Sequence, residues 1–494
     1  MSTSDTLVEA HSAQVALPPG QLYIDGQWQD STGTDRRDVV DPSTGRVVMT
    51  VAEATAEDVD RAVQAARRAF DSGPWRTMSP RDRGAILHRA AQLIQENAEE
   101  LARLESLDTG KPIAFSRMID ANTTAEHFSY FAGLAGAIEG ATRGIRGPGL
   151  GYTRREALGV VAAITPFNFP MILSTSKIAP ALAAGNTVVH KPAEDTPLTA
   201  LRIAELLTEA GLPDGVLNVV TGGGAVAGDA LSRHTGVDRI AFTGSTKIGS
   251  MIAATAAANV TPVTMELGGK SANIVFDDAD LDEAIQAAVS GFVFNTGQFC
   301  MGGTRLLVQR GVYDQVLAGV VAGATHVPVG DPLDEGTVVG PMAGERHLQN
   351  VERFVALVDG EGTGRIVAGG KRLDREGFYM APTVVVDVPN DSRLVQDEIF
   401  GPVLTVQVFD TEEEAIALAN STPYGLAAGL HTQNLSRAHR VAAALEAGLI
   451  WVNTYGILDV ALPFGGYKAS GYGRENGPEA LDEYLQTKSV YVAL

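Results

Sequence analysis

One cysteine, Cys300, stands in a chain of 494 residues. A lone sulfur cannot close an internal disulfide, and it cannot build a Cys-rich zinc site. The nine histidines are scattered, His88, His127, His190 and His234 among them, and no HExxH pair occurs, so no metal site is expected. Basic residues are scarce beside acidic ones: 38 Lys and Arg against 59 Asp and Glu, a formal charge of −21. A phosphate backbone or an anionic membrane surface repels that charge, which argues against a general nucleic-acid or lipid binder. Apolar runs are short, and none reaches the ~18 residues that span a bilayer. The start, MSTSDTLVEAHSAQVALPPG, lacks a basic n-region and an apolar h-region. A partly ordered tail on a cytoplasmic protein is expected there. The remainder is ordinary globular composition, 45% hydrophobic and 20% charged. At roughly 150 residues per domain the length suggests two or three domains.

Two amphipathic helices come early. Thr55 with Asp58 reads as an N-terminal cap, after which Val59, Ala62, Val63, Ala66 and Phe70 share one face. Ser79-Pro80 opens the second, with Asp82 in its first turn and Leu87, Ala90 and Ile94 facing inward. From about residue 159 strands and helices alternate. GVVAAI, NTVVHKPA, VLNVV, RIAFTG and TPVTMEL read as five strands, with helical stretches between them. Short Val- and Ile-rich strands, each followed by a helix, predict a parallel sheet covered on both faces. A second α/β unit follows, with SANIVF, RLLVQ, TVVVDV and VLTVQVF as strands. The stretch ATRGIRGPGLGYTRREA, punctuated by Gly147-Pro148-Gly149, reads as a projecting hairpin. The terminal YLQTKSVYVAL alternates like a strand. These two β segments either pair across subunits or form a plain edge within one.

Several segments carry chemistry. TGGGAVAG (221–228) loosely fits a dinucleotide fingerprint through Gly222, Gly224 and Ala227, a weak signal in a chain with 54 glycines. FTGSTKIG (242–249) is a strand-to-helix turn where Ser245 either caps the helix or helps hold a pyrophosphate. KPAED (191–195) follows a strand, so Glu194 lies at the carboxyl end, where open α/β sheets bind ligands. A carboxylate there accepts bonds from ribose hydroxyls and repels a 2′-phosphate. GQFCMGGTR (297–305) sets Cys300 at the end of the helix from Asp280, and Gly297, Gly302 and Gly303 imply close backbone approach to something. The bland alternative is a small buried hydrophobe. Glu266 in MELGGKSAN reads as a base or as a surface carboxylate, and Asn168 in PFNFP as a donor or as a turn residue.

Taken together, PFNFP, KPAED, FTGSTKIG, MELGGKSAN, GQFCMGGTR, EIFGPV (398–403) and PFGGYKASGYGRENG (463–477) stand in the order and spacing of the aldehyde dehydrogenase superfamily. The resemblance runs from about residue 20 to the C-terminus. It looks nearest to the hydrolytic, NAD-preferring branch that includes the phenylacetaldehyde and betaine aldehyde enzymes. It implies an α/β fold with a Rossmann-type parallel-sheet cofactor domain (1–137 and 158–265), a second α/β catalytic domain (266–477) and a small β oligomerisation arm (138–157 and 478–494). It matches Cys300 to the nucleophile, Glu266 to the general base and Asn168 to the oxyanion-hole amide, with Lys177 and Glu475 at positions linked to proton relay. For the cofactor it matches Lys191 and Glu194 to the adenosine ribose, Ser245 to the pyrophosphate, Glu398 to the nicotinamide ribose and Phe400 to the face of that ring. Thr165, Pro166, Phe167, Gly224, Gly228, Phe242, Thr243, Gly244, Leu267 and Gly268 are carried over as further cofactor contacts. It also implies that TGGG is not the main phosphate cradle, because the cofactor lies along FTGSTKIG.

The resemblance places Phe169, Leu173, Ser176, Phe299, Met301, Ile457, Leu458 and Phe464 around the substrate tunnel. Most are apolar, which points to an uncharged aromatic or medium-chain aldehyde. Ser176 stands where several relatives carry tryptophan, which would widen the tunnel. Asp459, in the mouth-forming loop, either favours a cationic aldehyde or is solvated. The chemistry suits the residues. A free thiol with pKa ~8.5 is only a few per cent ionised at neutral pH, so the site is expected to lower that pKa or to deprotonate the thiol through Glu266. A CoA-acylating relative is disfavoured because that branch generally lacks this base. A dead scaffold is disfavoured by the retention of Cys300, Asn168, Glu266 and Glu398 together. A cysteine hydrolase lacks a partner histidine motif. The partners expected are NAD, preferred over NADP, and a small aldehyde, in a homodimer or homotetramer.

Overall fold

The computed structural model describes residues 15–494. Most of the expected N-terminal tail, residues 1–14, lies outside the described residues. The five expected strands form the parallel centre of an eight-stranded sheet. Their order is Leu217–Val219, Thr187–Lys191, Val160–Ile164, Arg239–Thr243 and Val263–Glu266. The side-chain period of two divides each strand between two cores. Val161 and Ala163 face one apolar cluster; Val160, Ala162 and Ile164 face the other. Each fully buried Val or Ile contributes about 1.5–3 kcal/mol, so a strand buried on both faces is strongly pinned in register.

The capping box between Thr55 and Asp58 is present at the start of the helix Ala56–Ser72, and Ser79 caps Pro80–Glu96. Val59, Ala62, Val63 and Ala66 are buried as expected, while Phe70 is half-buried. Two helical segments that the pattern did not bring out, Ala98–Thr109 and Asn122–Ala135, complete the outer layer.

The second sheet has seven strands. Ala272–Val275, Arg305–Gln309, Thr383–Val386 and Val403–Phe409 were expected; Arg365–Ala368, Ala427–His431 and Leu449–Val452 were not. AAGLH carries little β-branched content and is recruited by pairing to Ala272–Val275. Late in the chain, Gly471–Tyr472 returns to the first sheet and pairs with Met265 and Glu266. The two orphan β segments pair with each other inside one chain. Leu485–Ala493 runs antiparallel to Gly149–Ala157, with Thr142–Arg143 as a third strand.

Candidate active site

The carboxyl ends of the parallel strands converge on one side of the first sheet. Thr165, Lys191, Thr221, Thr243 and Glu266 all end there, or lie one or two residues beyond. This is where an open α/β sheet offers a ligand crevice. Lys191 is buried, and its Nζ donates to the Pro192 carbonyl at 2.6 Å and the Gly222 carbonyl at 2.9 Å. Burial pushes its pKa down to about 8. Glu194 accepts the Gly224 N–H at 3.0 Å, with Arg37 at 4.0 Å and Arg346 at 3.6 Å. Gly223 donates its N–H to Glu53 at 2.7 Å. The TGGG turn therefore gives two of its N–H groups to protein carboxylates, in keeping with its not being a phosphate cradle. Gly228, in the same turn, lies beside the Lys191 stem. Ser245 caps the helix Thr246–Ala258 by accepting from Ile248 N.

Across the groove, Glu398 accepts the Gly269 N–H at 3.0 Å. A Cβ on Gly268 would strike the Glu398 carboxylate and push it from this position. Burial pushes Glu398 up to about 7, against the Gly269 bond and Lys270. Phe400 has φ +59 and meets the edge of Phe167, which stacks on His347 at 3.9 Å. Thr165 Oγ1 bonds His190 at 3.0 Å behind Pro166. Leu267 and Phe242 are buried under the turns, each against a glycine (Gly249 and Gly244) that a side chain would displace.

The helix that was expected to run to the cysteine ends earlier, at Val293. Asn295 and Thr296 then take left-handed backbone, with φ 49 and 56. For a β-branched threonine that is a strained state, costing of order ~1–3 kcal/mol. Long-range bonds hold the turn. Asn295 Nδ2 donates to the Asn168 carbonyl at 2.8 Å, and Gln298 Oε1 accepts the Ala343 N–H at 2.9 Å. The flanking glycines do approach something closely, but it is protein. Gly297 packs on the Gly401 backbone, and Gly303 leaves room for the Tyr455 ring. Tyr455 in turn donates to the Met301 carbonyl at 2.7 Å.

Cys300 emerges from this turn partly exposed. Its surroundings push the thiol well above its ordinary pKa, first by burial and then by the Glu398 and Glu266 charges; backbone N–H groups at Cys300 and Met301 oppose this only in part. The expectation of a lowered thiol pKa is therefore not met. Two nearby carboxylates and a dry wall outweigh the backbone dipoles, which leaves a base as the route to the thiolate. Asn168 is buried, and its Nδ2 donates to the Gln298 carbonyl at 3.0 Å. Glu266 is buried, and neither of its carboxylate oxygens finds a hydrogen-bond partner among the described residues. Burial and the like charge of Glu475 raise it well above the usual carboxylate range. Lys177 pairs with Glu475 and donates to Thr243 Oγ1 at 2.6 Å. Ser176 donates to the other Glu475 oxygen at 2.7 Å. Its hydroxyl thus serves the network behind the base.

Phe169, Leu173, Phe299, Met301 and Phe464 form one apolar cluster against Cys300, joined by Leu426, Ala427 and Trp451. Ile457 and Leu458 lie outside it, 66% and 42% exposed. Beside this cluster a mostly apolar cavity of about 520 Å³ runs from Phe299, Phe294 and Tyr455 past Ile457, Phe115 and Ile119 to Ile285 and Val289, and neither Cys300 nor Phe169 lines it. Sequence reading had not brought out Phe115, Ile119, Phe294 or Tyr455. Phe294 and Tyr455 adjoin recognised motifs and could have been reached from them; Phe115 and Ile119 carry no local signal.

Comparisons with known proteins identify the family. Residues 28–490 match the model of the aldehyde dehydrogenase family. The putative aldehyde dehydrogenase DhaS of Bacillus subtilis is 46% identical over 474 residues, 96% of each chain. Among solved structures, the P. syringae AldA indole-3-acetaldehyde dehydrogenase in complex with NAD+ and IAA superposes with TM-score 0.96 at 43% identity, covering all of both chains. An aldehyde dehydrogenase of Bacillus cereus, solved as its NAD+ complex, superposes with TM-score 0.95 at 43% identity over 99% of this chain and 98% of that one. The chain belongs to the aldehyde dehydrogenase family.

Proposed function

We propose that this enzyme oxidises an aldehyde to the carboxylic acid with NAD as acceptor, through a thiohemiacetal and a thioester on Cys300. One arrangement supports it above all: a partly open thiol on a strained, well-braced turn, with the buried, unpartnered carboxylate of Glu266 acting on it. The residues present fit a dinucleotide. Glu194 and Lys191 stand at the ribose end, the capped helix at Ser245 offers N–H groups to a pyrophosphate, and Glu398 sits on the far side. The NAD+ complexes of the P. syringae and B. cereus enzymes favour the same cofactor. Glu194 repels a 2′-phosphate, so NAD is preferred over NADP.

Glu266 takes the thiol proton, directly or through water, and the thiolate adds to the aldehyde carbon. The Asn168 amide and the Cys300 N–H receive the oxyanion; losing one such donor costs ~10²–10³ in rate. Bound NAD supplies the acceptor for the hydride that leaves this carbon. Glu266 then deprotonates the water that hydrolyses the thioester. A raised pKa suits a group that must both accept and release a proton near neutrality. Lys177, Glu475 and Ser176 form a charged network next to Glu266, and a water between them would carry that proton onward.

The apolar cluster of Phe169, Leu173, Phe299, Met301 and Phe464 against Cys300 favours an aromatic or medium-chain aldehyde. Asp459 gives its carboxylate to the Ala461 N–H at 2.8 Å and braces the loop, which favours the uncharged substrate over a cationic one. Residues 1–137 with 158–265 would form the cofactor domain and 266–477 the catalytic domain. Leu150, Tyr491 and Val492 remain exposed on the three-stranded sheet, which fits an arm for a homodimer or homotetramer. A thiol that must stay reduced fits the cytoplasm. The test is NADH formation with benzaldehyde, phenylacetaldehyde, hexanal and betaine aldehyde. Preference for betaine aldehyde would sink the substrate assignment, and equal efficiency with NADP would sink the role of Glu194. Asn168→Ala at wild-type rate would remove it from the oxyanion hole.

A further inference from the structure

A second buried charge cluster lies behind the apolar cluster at Cys300, and none of the chemistry above uses it. Lys111 is fully buried between the helical layer and the catalytic half. Its Nζ stands 2.6 Å from Asp120 and 3.5 Å from Glu105. Glu105 also accepts from Thr199 Oγ1 at 3.0 Å. The same Nζ sits 4.0 Å from the centroid of the Phe169 ring. Phe169 follows Asn168 directly, stacks on Phe294 with centroids 5.9 Å apart and meets Phe299 at a tilt with centroids 5.7 Å apart. Both of those rings line the cavity. Gly110, at φ +76, packs on Pro341, and its carbonyl lies against Gly340, so Lys111 is held at a joint where the two halves meet.

We propose that Lys111 is a positioning residue for aldehyde recognition: its ammonium fixes the Phe169 ring, and through it the aromatic wall of the cavity. The physical reason is specific. A desolvated ammonium over an aromatic face is attracted by the ring quadrupole far more than an exposed one. Asp120 and Glu105 hold the ammonium from the other side, so the ring rests on a fixed point. An aliphatic side chain at position 111 would fill space but would let the ring tilt. The inference rests on the proposed oxidation of bulky apolar aldehydes.

Fluorinated phenylalanines at position 169, introduced into the full-length enzyme, test it without disturbing the ion cluster. Fluorine drains the ring face while nearly keeping its shape. From mono- to trifluoro-phenylalanine, KM for phenylacetaldehyde should climb in steps to about three- to tenfold, well ahead of any change in kcat or in KM for acetaldehyde. Lys111→Met should reproduce the KM shift in one step. A flat series, or phenylacetaldehyde and acetaldehyde parameters moving together, overturns the inference. Should the wild type oxidise no aldehyde with NAD, the functional reading fails first. Should it oxidise them and the series stay flat, only this inference fails.

Discussion

Two buried clusters in this molecule have the same inventory and opposite designs. Each holds one lysine and two carboxylates away from water: Lys177 with Glu475 and Glu266, and Lys111 with Asp120 and Glu105. In the second, each carboxylate has one oxygen tied, to the ammonium or to Thr199, while the other, Asp120 Oδ2 or Glu105 Oε1, has no hydrogen-bond partner among the described residues. In the first, Glu475 takes up the ammonium and the Ser176 hydroxyl, and Glu266 is left with no partner among the described residues. A carboxylate tied through one oxygen is held in place; one with neither oxygen tied is available for proton transfer. The lesson is that hydrogen-bond satisfaction, more than residue type, separates a working group from a structural one.

The comparison can be tested from both sides. Cys300→Ala should have the largest effect, abolishing aldehyde oxidation while NAD still binds, measured by NADH formation and by calorimetric titration. Turnover in that variant would show that Glu266 serves some other group. Glu266→Gln should slow steady-state turnover by ~10²–10⁴. The pH profile sharpens this. The carboxyl is raised in the folded protein, so below its pKa it is neutral and idle, and the base appears only as pH climbs through it. Wild-type thioester release should therefore rise with pH, and the Gln variant should lose that limb. By the same sign, the stability that the buried neutral carboxyl contributes is present in acid and lost as pH rises. Lys177→Met strands Glu475 and should cost ~3–5 kcal/mol, read as a lower midpoint in denaturant unfolding. Glu105→Gln should have the smallest effect, about 1 kcal/mol or less, since Lys111 keeps Asp120 and the amide can still accept from Thr199. A Glu105 variant as damaged as the Lys177 one would erase the distinction between the clusters.

Much of the frame was legible in the sequence. The five parallel strands announced themselves by short Val- and Ile-rich runs between helices, and the Thr55–Asp58 cap by its spacing. The site residues were legible as motifs, each of them ambiguous alone. The left-handed backbone at Asn295 and Thr296 was not legible, because contacts to Asn168 and Ala343 impose it. The thiol's raised pKa was hidden for a similar reason: it comes first from burial and then from the carboxylates at positions 398 and 266, all supplied by tertiary packing. Ser176 looked like a gap in a tunnel wall until Glu475, 299 residues away, was seen to accept its hydroxyl.

By itself the order of residues determined the periodicities, and hence the layered α/β frame. It also set Glu266 at a strand end, Asn168 just past one and Cys300 in a glycine-rich turn. Which carboxylate is spent and which is free, what the glycines touch, and where a lysine meets an aromatic ring were decided only by tertiary packing. Local pattern encodes backbone geometry over a few residues. Proton affinity and hydrogen-bond satisfaction depend on groups that folding brings together from hundreds of residues apart.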